Sequence, residues 1–160
     1  MKLNLARILL VPLLALAAGP GFAADTSSPS TASADKLAPV RAHLAGKNYA
    51  AAVDELKKAS DPSSADWNNL MGYSLRRASA SNAGEAEKYY NEALRINPKH
   101  RGALEYSGEL YLMTGDLAKA EQRLAALDKA CFLPCDEHRD LKAAIARYKQ
   151  NGNKYVAGDW

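Results

Sequence analysis

Apolar residues recur at helical spacing along most of this chain, from about residue 35 to residue 150. The pattern is clearest in the last segment, 136–150, which opens with an acidic residue and then alternates charged and apolar faces. One apolar stripe in this segment follows the order i, i+3, i+4, i+7 and consists of Leu141, Ala144, Ile145 and Tyr148. The pattern predicts an all-α chain without strands.

A second regularity is a repeat of 34 residues. Three series of positions keep this spacing: Ala52, Ala86 and Ala120; Leu56, Tyr90 and Leu124; and Ala59, Ala93 and Leu127. Within each repeat the first two positions are four residues apart and therefore share one helical face. Because small residues let a neighbouring helix approach closely, each repeat is predicted to bury this face against another helix.

A further helix is predicted before each of these, and its clearest marks are Gly72 and Gly108. These glycines are 36 residues apart, so the second repeat has two extra residues, which we assign to a longer turn at 78–84. Pro98 ends the second repeat, because proline disfavours helical geometry in the residue before it.

These residues resemble the tetratricopeptide repeat family. Its pattern asks for a small residue at place eight, alanine at twenty, a large residue at twenty-four, alanine at twenty-seven and proline at thirty-two. The second repeat offers Gly72, Ala86, Tyr90, Ala93 and Pro98 in that order. The resemblance covers about residues 35–130 and implies an α-α superhelix of about three helix pairs, with 136–150 as a C-terminal capping helix.

The first repeat departs from the family pattern, because Pro39 stands where a helix interior is expected. We therefore expect its first helix to begin late or to bend there.

In this family the first helix of each pair lines a concave groove that holds an extended peptide or a partner helix. The resemblance thus implies a protein or peptide partner. The matching groove positions are Asn69, Tyr73, Arg76, Arg77, Glu105, Glu109, Leu112 and Met113. Arginines facing glutamates suit a mixed-charge polypeptide. The competing interpretation is structural, with solvated arginines and with Leu112 or Met113 packed on the capping helix.

Some family members clamp the C-terminal carboxylates of a partner with lysine and asparagine. Tyr73 occupies a place where that clamp has asparagine. The sequence therefore disfavours this kind of tail binding.

The first residues predict export. Residues 1–23 combine two basic residues, an apolar run of 11 residues and a small-residue exit, which is typical of a secretory signal peptide. The apolar run is shorter than the roughly 20 residues that span a bilayer. Cleavage is expected after Ala23, with Ala24 as the alternative. We expect a flexible leader at 24–34, a helical domain at 35–150, a tail without clear period at 151–160, and a periplasmic location.

Charge adds little to this picture. There are 21 basic and 18 acidic residues, and the chain is 48% hydrophobic, which fits one globular domain. Without Lys2 and Arg7 of the predicted signal peptide the count is 19 against 18. This balance gives no reason to expect nucleic acid or an anionic membrane as a partner. Three short repeats can also stack with a second copy of the chain, and the sequence favours neither the single chain nor the stacked pair.

Catalytic chemistry is sparse. The three histidines, His43, His100 and His138, belong to different predicted elements, and no phosphate-binding loop, nucleophile elbow or paired-histidine motif is present. We therefore expect a non-enzymatic protein without a cofactor.

The two cysteines, Cys131 and Cys135, flank the corner between the third repeat and the capping helix. In an oxidising compartment they are predicted to form a disulfide that holds the cap to the last repeat, worth about 2 kcal/mol for so short a loop. The alternative hypothesis is a thiol- or metal-handling accessory, in which His138 joins both cysteines around a soft metal.

Overall fold

The computed structural model describes residues 35–156. The predicted signal peptide, leader and last four residues of the tail lie outside the described residues. Within 35–156 there are seven α-helices and no strand. They are α1 (Ala38–Ala45), α2 (Tyr49–Ala59), α3 (Ala65–Ala78), α4 (Ala83–Ile96), α5 (Arg101–Met113), α6 (Leu117–Ala130) and α7 (Asp136–Gln150).

The helices pack in chain order as three pairs and a final helix. The pairs are α1 with α2, α3 with α4, and α5 with α6, and each pair contacts the next. In addition α3 contacts α5, and α7 packs against both α5 and α6. This is the predicted all-α superhelix of helix pairs with a closing helix, and the prediction is confirmed. No helix in the described part of the chain combines the length and apolar character needed to cross a membrane.

The 34-residue series forms the inner side of the second helices. The three alanines at its first position, Ala52, Ala86 and Ala120, are completely buried. At the second position, Leu56 and Tyr90 are completely buried, whereas Leu124 is only half-buried. At the third position, Ala93 and Leu127 are completely buried and Ala59 is half-buried. The repeat therefore identifies the buried face correctly but overstates the burial of Leu124 and Ala59.

The two glycines of the first helices have different neighbours. A Cβ atom on Gly72 would lie 2.9 Å from the ring of Tyr90, within the same helix pair. A Cβ atom on Gly108 would lie 2.5 Å from a methyl carbon of Leu141 on α7. Gly72 thus lets α4 approach α3, and Gly108 lets α7 approach α5. Sequence spacing alone treats these two glycines as equivalent.

Helix ends follow from local chemistry. Helix α1 begins late, at Ala38, and Pro39 lies in its first turn, where a missing N–H has no helical partner to lose. The Ser64 hydroxyl accepts a hydrogen bond of 3.2 Å from the Trp67 N–H at the start of α3. His100 caps α5 through Nδ1, and its Nε2 lies 2.8 Å from Oδ1 of Asp66, which joins the starts of α3 and α5. The longer turn predicted at 78–84 contains a 3-10 turn.

Two apolar clusters meet at α5. The first lies among α1 to α5 and includes Trp67, Met71 and Leu110. The second lies among α5, α6 and α7 and includes the whole predicted stripe of Leu141, Ala144, Ile145 and Tyr148. Tyr155, beyond the end of α7, packs against this second cluster. Because α5 contributes to both clusters, it positions the side chains of its remaining face firmly.

Candidate binding groove

The remaining faces of α3, α5 and α7 lie next to one another and carry most of the predicted groove positions. Arg76 of α3 is only 5% exposed. Its Nη2 donates a hydrogen bond of 2.7 Å to Oε2 of Glu109, which is also buried. The sequence predicts these two residues as open contacts on opposite walls, and the structure pairs them with each other instead. Their charges therefore hold α3 to α5.

The environment of Arg76 keeps it charged. Burial alone would lower the pKa of Arg76, but contacts with Tyr90 and Glu109 outweigh burial and raise the pKa above its ordinary value. The guanidinium carbon also lies 5.8 Å and 5.9 Å from the ring centroids of Tyr73 and Tyr106. These distances allow cation–π attraction to both rings.

A row of three half-buried tyrosines crosses the helices beside this ion pair. The ring centroids of Tyr49 and Tyr73 are 6.3 Å apart, and those of Tyr73 and Tyr106 are 4.7 Å apart. We call these three residues the tyrosine row. At its first end the Arg77 Nη2 donates a hydrogen bond of 3.0 Å to the hydroxyl of Tyr49. Arg77 is half-buried, so this end presents a cation at the surface.

The other end of the row opens into a pocket of about 400 Å³ between α5 and α7, which we call the acidic pocket. Its walls are Tyr73, Glu105, Tyr106, Glu109, Asp140, Ala143 and Arg147. Ala143 is half-buried, and Asp140 and Arg147 are exposed. The pocket therefore has aromatic walls and several carboxyl groups, and it is open to solvent.

Among the described acidic residues of this pocket, Glu105 is the one without an ion-pair partner, since Glu109 pairs with Arg76 and Asp140 with Arg139. Its residue surface is only 9% exposed, and it makes no hydrogen bond or ion pair within residues 35–156. Burial raises the pKa of Glu105 to about 8, and the nearby carboxyl groups of Glu109 and Asp140 raise it further. At neutral pH this side chain is therefore mainly a neutral acid.

Other predicted groove residues are placed differently. Asn69 is 6% exposed, and its Nδ2 lies 3.1 Å from the place that a Cβ atom on Gly102 would take. Its side chain therefore lies between α3 and α5 and is closed to a partner. Leu112 is 1% exposed in the cluster that includes α7, as the structural interpretation expects, and Met113 packs partly against the first cluster.

Sequence reasoning missed Tyr106, Asp140, Ala143 and Arg147. Tyr106 follows Glu105 directly, and the family positions carried over from the second repeat pass over it. The other three belong to α7, which the sequence predicts as a cap with a polar outer face. Because α7 packs on α5 as α5 packs on α3, its polar face also supplies one wall of the acidic pocket.

The two cysteines, Cys131 and Cys135, lie outside the lining of the acidic pocket, in the connection between α6 and α7. The sulfur atoms of Cys131 and Cys135 are 2.06 Å apart, at disulfide distance. Within the described residues, a possible ligand cluster combines both cysteines with Glu137, all within 4.8 Å. His138 is not part of it, and its Nε2 lies 3.9 Å from Oδ1 of Asp128. The alternative metal set with His138 is therefore not formed, and joined sulfurs offer no thiolate to a metal.

Comparison with known proteins supports the repeat assignment. Residues 78–145 match the family model described as tetratricopeptide repeat. The match runs from the end of α3 through α4, α5 and α6 into α7. Searches of curated proteins and of solved structures gave no significant match. Domains of this family generally mediate protein–protein interaction, and the family is generally non-enzymatic. The 34-residue series, the stacked helix pairs and this match together support a tetratricopeptide repeat protein.

Proposed function

We propose that this protein is a non-enzymatic adaptor or assembly factor of the bacterial envelope that binds a polypeptide along the tyrosine row. The observation that carries the proposal is the row itself, an unbroken run of half-buried rings that ends in an open pocket. Tyrosine offers a large flat contact area and a hydroxyl for directional hydrogen bonds. Rings already held by packing lose little conformational freedom on binding, which favours affinity.

The dimensions of the row suit an extended peptide. Alternate side chains of an extended chain are about 6.6 Å apart. The ring centroids of Tyr49 and Tyr73 are 6.3 Å apart, close to this spacing, whereas those of Tyr73 and Tyr106 are closer together, at 4.7 Å. Two successive side chains on one face of a peptide can thus contact Tyr49 and the Tyr73–Tyr106 pair.

The charges available to a partner are divided along the row. Because Arg76 and Glu109 pair internally, the accessible cation beside Tyr49 is Arg77, and Arg147 is exposed at the acidic pocket. The accessible carboxyl groups are Glu105 and Asp140, at the acidic pocket. This arrangement favours a partner segment whose charge changes along its length.

The envelope location rests on two observations. Residues 1–23 have the composition of a secretory signal peptide. Cys131 and Cys135 lie at disulfide distance, and stable disulfides belong to oxidising compartments such as the periplasm. Cell fractionation by osmotic shock tests this part: release of the protein with periplasmic markers supports it, and retention with cytoplasmic markers contradicts it.

Site-specific photo-crosslinking in native cells tests the binding surface. A photoreactive residue at Ala143 samples the acidic pocket, and one at Ala50 samples the end beside Tyr49. The control is Lys88, which is exposed on α4 outside both places. We expect a discrete crosslinked polypeptide from Ala143, from Ala50 or from both, and none from Lys88. Equal background at all three positions would contradict binding along the row.

A further inference from the structure

The geometry points to a specific occupant of the acidic pocket: we propose that it receives a lysine or arginine side chain of the bound polypeptide, with Glu105 as its counter-charge. This inference rests on the proposed function and names the chemistry of the partner at one end of the tyrosine row. The shared feature of the two side chains is a cationic head on a long apolar stem.

The first argument is the state of Glu105. The Glu105 residue is about nine-tenths buried, and within residues 35–156 its carboxyl group has no hydrogen-bond or ion-pair partner. Its oxygens are not among the fully buried unsatisfied atoms and keep contact with solvent at the pocket. A largely desolvated carboxylate is stabilised by a cationic partner. Glu109, one turn away, already accepts its hydrogen bond from Arg76. Glu105 therefore remains as a buried acid that faces an open pocket without a protein donor. A cationic donor from a ligand would satisfy it.

The second argument is the aromatic wall. Tyr73 and Tyr106 line the same pocket, and their ring centroids already lie within 6 Å of the Arg76 guanidinium. Electron-rich ring faces beside carboxylates attract ammonium and guanidinium groups. The stem of such a side chain can pack on the rings while its head reaches Glu105.

The third argument is the local charge. Three carboxyl groups, those of Glu109, Asp140 and Glu137, raise the pKa of Glu105, and the Arg76 guanidinium lowers it. The pocket wall carries one more cation, Arg147 on α7. The lining carboxyl groups are those of Glu105, Glu109 and Asp140. Arg76 pairs with Glu109 and Arg139 pairs with Asp140, so within residues 35–156 Glu105 is the lining carboxyl group without a cation of its own. An incoming cation complements this group, whereas an incoming anion does not.

Binding is expected to depend on pH. The groups that face Glu105 are Arg76 and Tyr73 from α3, Glu109 and Tyr106 from α5, and Asp140, Glu137 and Arg147 from α7. In the free protein the pKa of Glu105 is about 8, because it is buried. A bound cation favours the carboxylate, so binding below pH 8 releases a proton. Affinity should therefore fall by up to tenfold for each pH unit below 8.

The test uses small probes with the protein purified in the form that its host produces. The probes are Nα-acetyl-lysine methylamide, Nα-acetyl-arginine methylamide and, as a neutral control, the lysine probe acetylated at Nε. Binding is followed at pH 8.5 through the 13C-labelled methyl group of Ala143 in the pocket. The exposed methyl group of Ala125 on α6 is the internal reference.

We expect saturable shifts of the Ala143 methyl signal with at least one cationic probe and at least tenfold weaker binding of the neutral probe. Glu105→Gln should weaken cation binding at least tenfold at pH 8.5, and the matched variant Glu85→Gln, at an exposed position on α4, should not change it. The tighter of the two cationic probes identifies the preferred head group.

Equal binding of the neutral probe, unchanged binding to Glu105→Gln, or no shift of the Ala143 signal with any probe would overturn the inference. These results are separable from the proposed function. A crosslinked partner at Ala143 without discrimination among the probes removes only the cation assignment. Selective cation binding without any crosslinked polypeptide removes the polypeptide partner and leaves a small-cation site.

Discussion

The two ends of the tyrosine row differ in how the protein satisfies its own charges. At the first end, Arg77 is half-buried and donates to the hydroxyl of Tyr49, so its charge is already stabilised. At the other end, Glu105 is nearly buried and has no partner within the described residues. The first end is complete without a ligand, whereas the second end is not. The difference indicates that a partner contributes most where the fold leaves a largely desolvated carboxyl group without a counter-charge.

Between the two ends, the Arg76–Glu109 pair serves the fold itself. Both side chains are almost fully buried, and their hydrogen bond joins α3 to α5. Two residues that the sequence predicts as opposite charges on the groove surface, Arg76 and Glu109, are therefore buried as an ion pair. After this pairing, Arg77 remains accessible at the first end, and the carboxyl groups of Glu105 and Asp140 remain at the other end together with Arg147.

The largest expected effect is on the buried pair. Arg76→Met leaves Glu109 buried without its partner and should lower the free energy of unfolding by about 3–5 kcal/mol. The matched variant at the first end, Arg77→Met, removes a partly solvated cation and should cost less than about 1 kcal/mol. Urea denaturation measures both. The double variant Arg76→Met/Glu109→Leu should recover most of the loss, and equal losses in the two single variants would contradict the distinction.

A smaller effect concerns pH and the acidic pocket. Folding raises the pKa of Glu105 from its ordinary value of 4.5 to about 8, because the group is buried. The folded state then holds the proton more tightly than the unfolded state, so stability falls as pH rises from about 4.5 to about 8. The full shift corresponds to at most about 5 kcal/mol, and solvent in the pocket reduces this to about 3 kcal/mol.

Glu105→Gln should remove this pH-dependent loss and make the protein more stable than the parent at pH 8.5. Thermal unfolding between pH 5 and pH 8.5 measures the difference. Glu85→Gln serves as the control, since Glu85 is exposed on α4. Parallel pH profiles for the parent and Glu105→Gln would show that Glu105 titrates normally and would remove the contrast between the two ends.

The third effect tests how α7 is held at the acidic end. Cys131 and Cys135 close the connection between α6 and α7, and loss of so short a crosslink costs about 2 kcal/mol. The paired substitution Cys131→Ser/Cys135→Ser should lower stability by that amount. It should also weaken probe binding in the acidic pocket, because α7 forms one wall of that pocket. Crosslinking at Ala50 should weaken less, because α7 does not line the surface around Ala50. Equal weakening at both ends would contradict this.

Much of the fold is predictable from sequence because helical periodicity is a local property. The buried alanines Ala52, Ala86 and Ala120 and the stripe of α7 follow directly from spacing. The site is harder to predict, since it depends on which helix lies beside which. Gly108 matches Gly72 in the repeat pattern, yet it accommodates Leu141 of α7. Helix α7 lies outside the repeats, so no repeat position predicts that Asp140 lines the pocket.

The smallest expected effect comes from the more exposed charged residues at the two ends of the tyrosine row, Asp140 and Arg77. Asp140 lines the acidic pocket but is exposed, so Asp140→Asn should weaken binding of the cationic lysine probe only two- to fivefold, or up to about 1 kcal/mol. Arg77→Gln, at the other end, should leave that binding unchanged. Titration at low and at high salt sharpens the contrast, because the Asp140 contribution should be screened by salt, whereas that of the buried Glu105 should largely persist. Equal sensitivity of the probe to Asp140→Asn and Arg77→Gln would mean that the cation senses the overall charge of the face and not a local pocket.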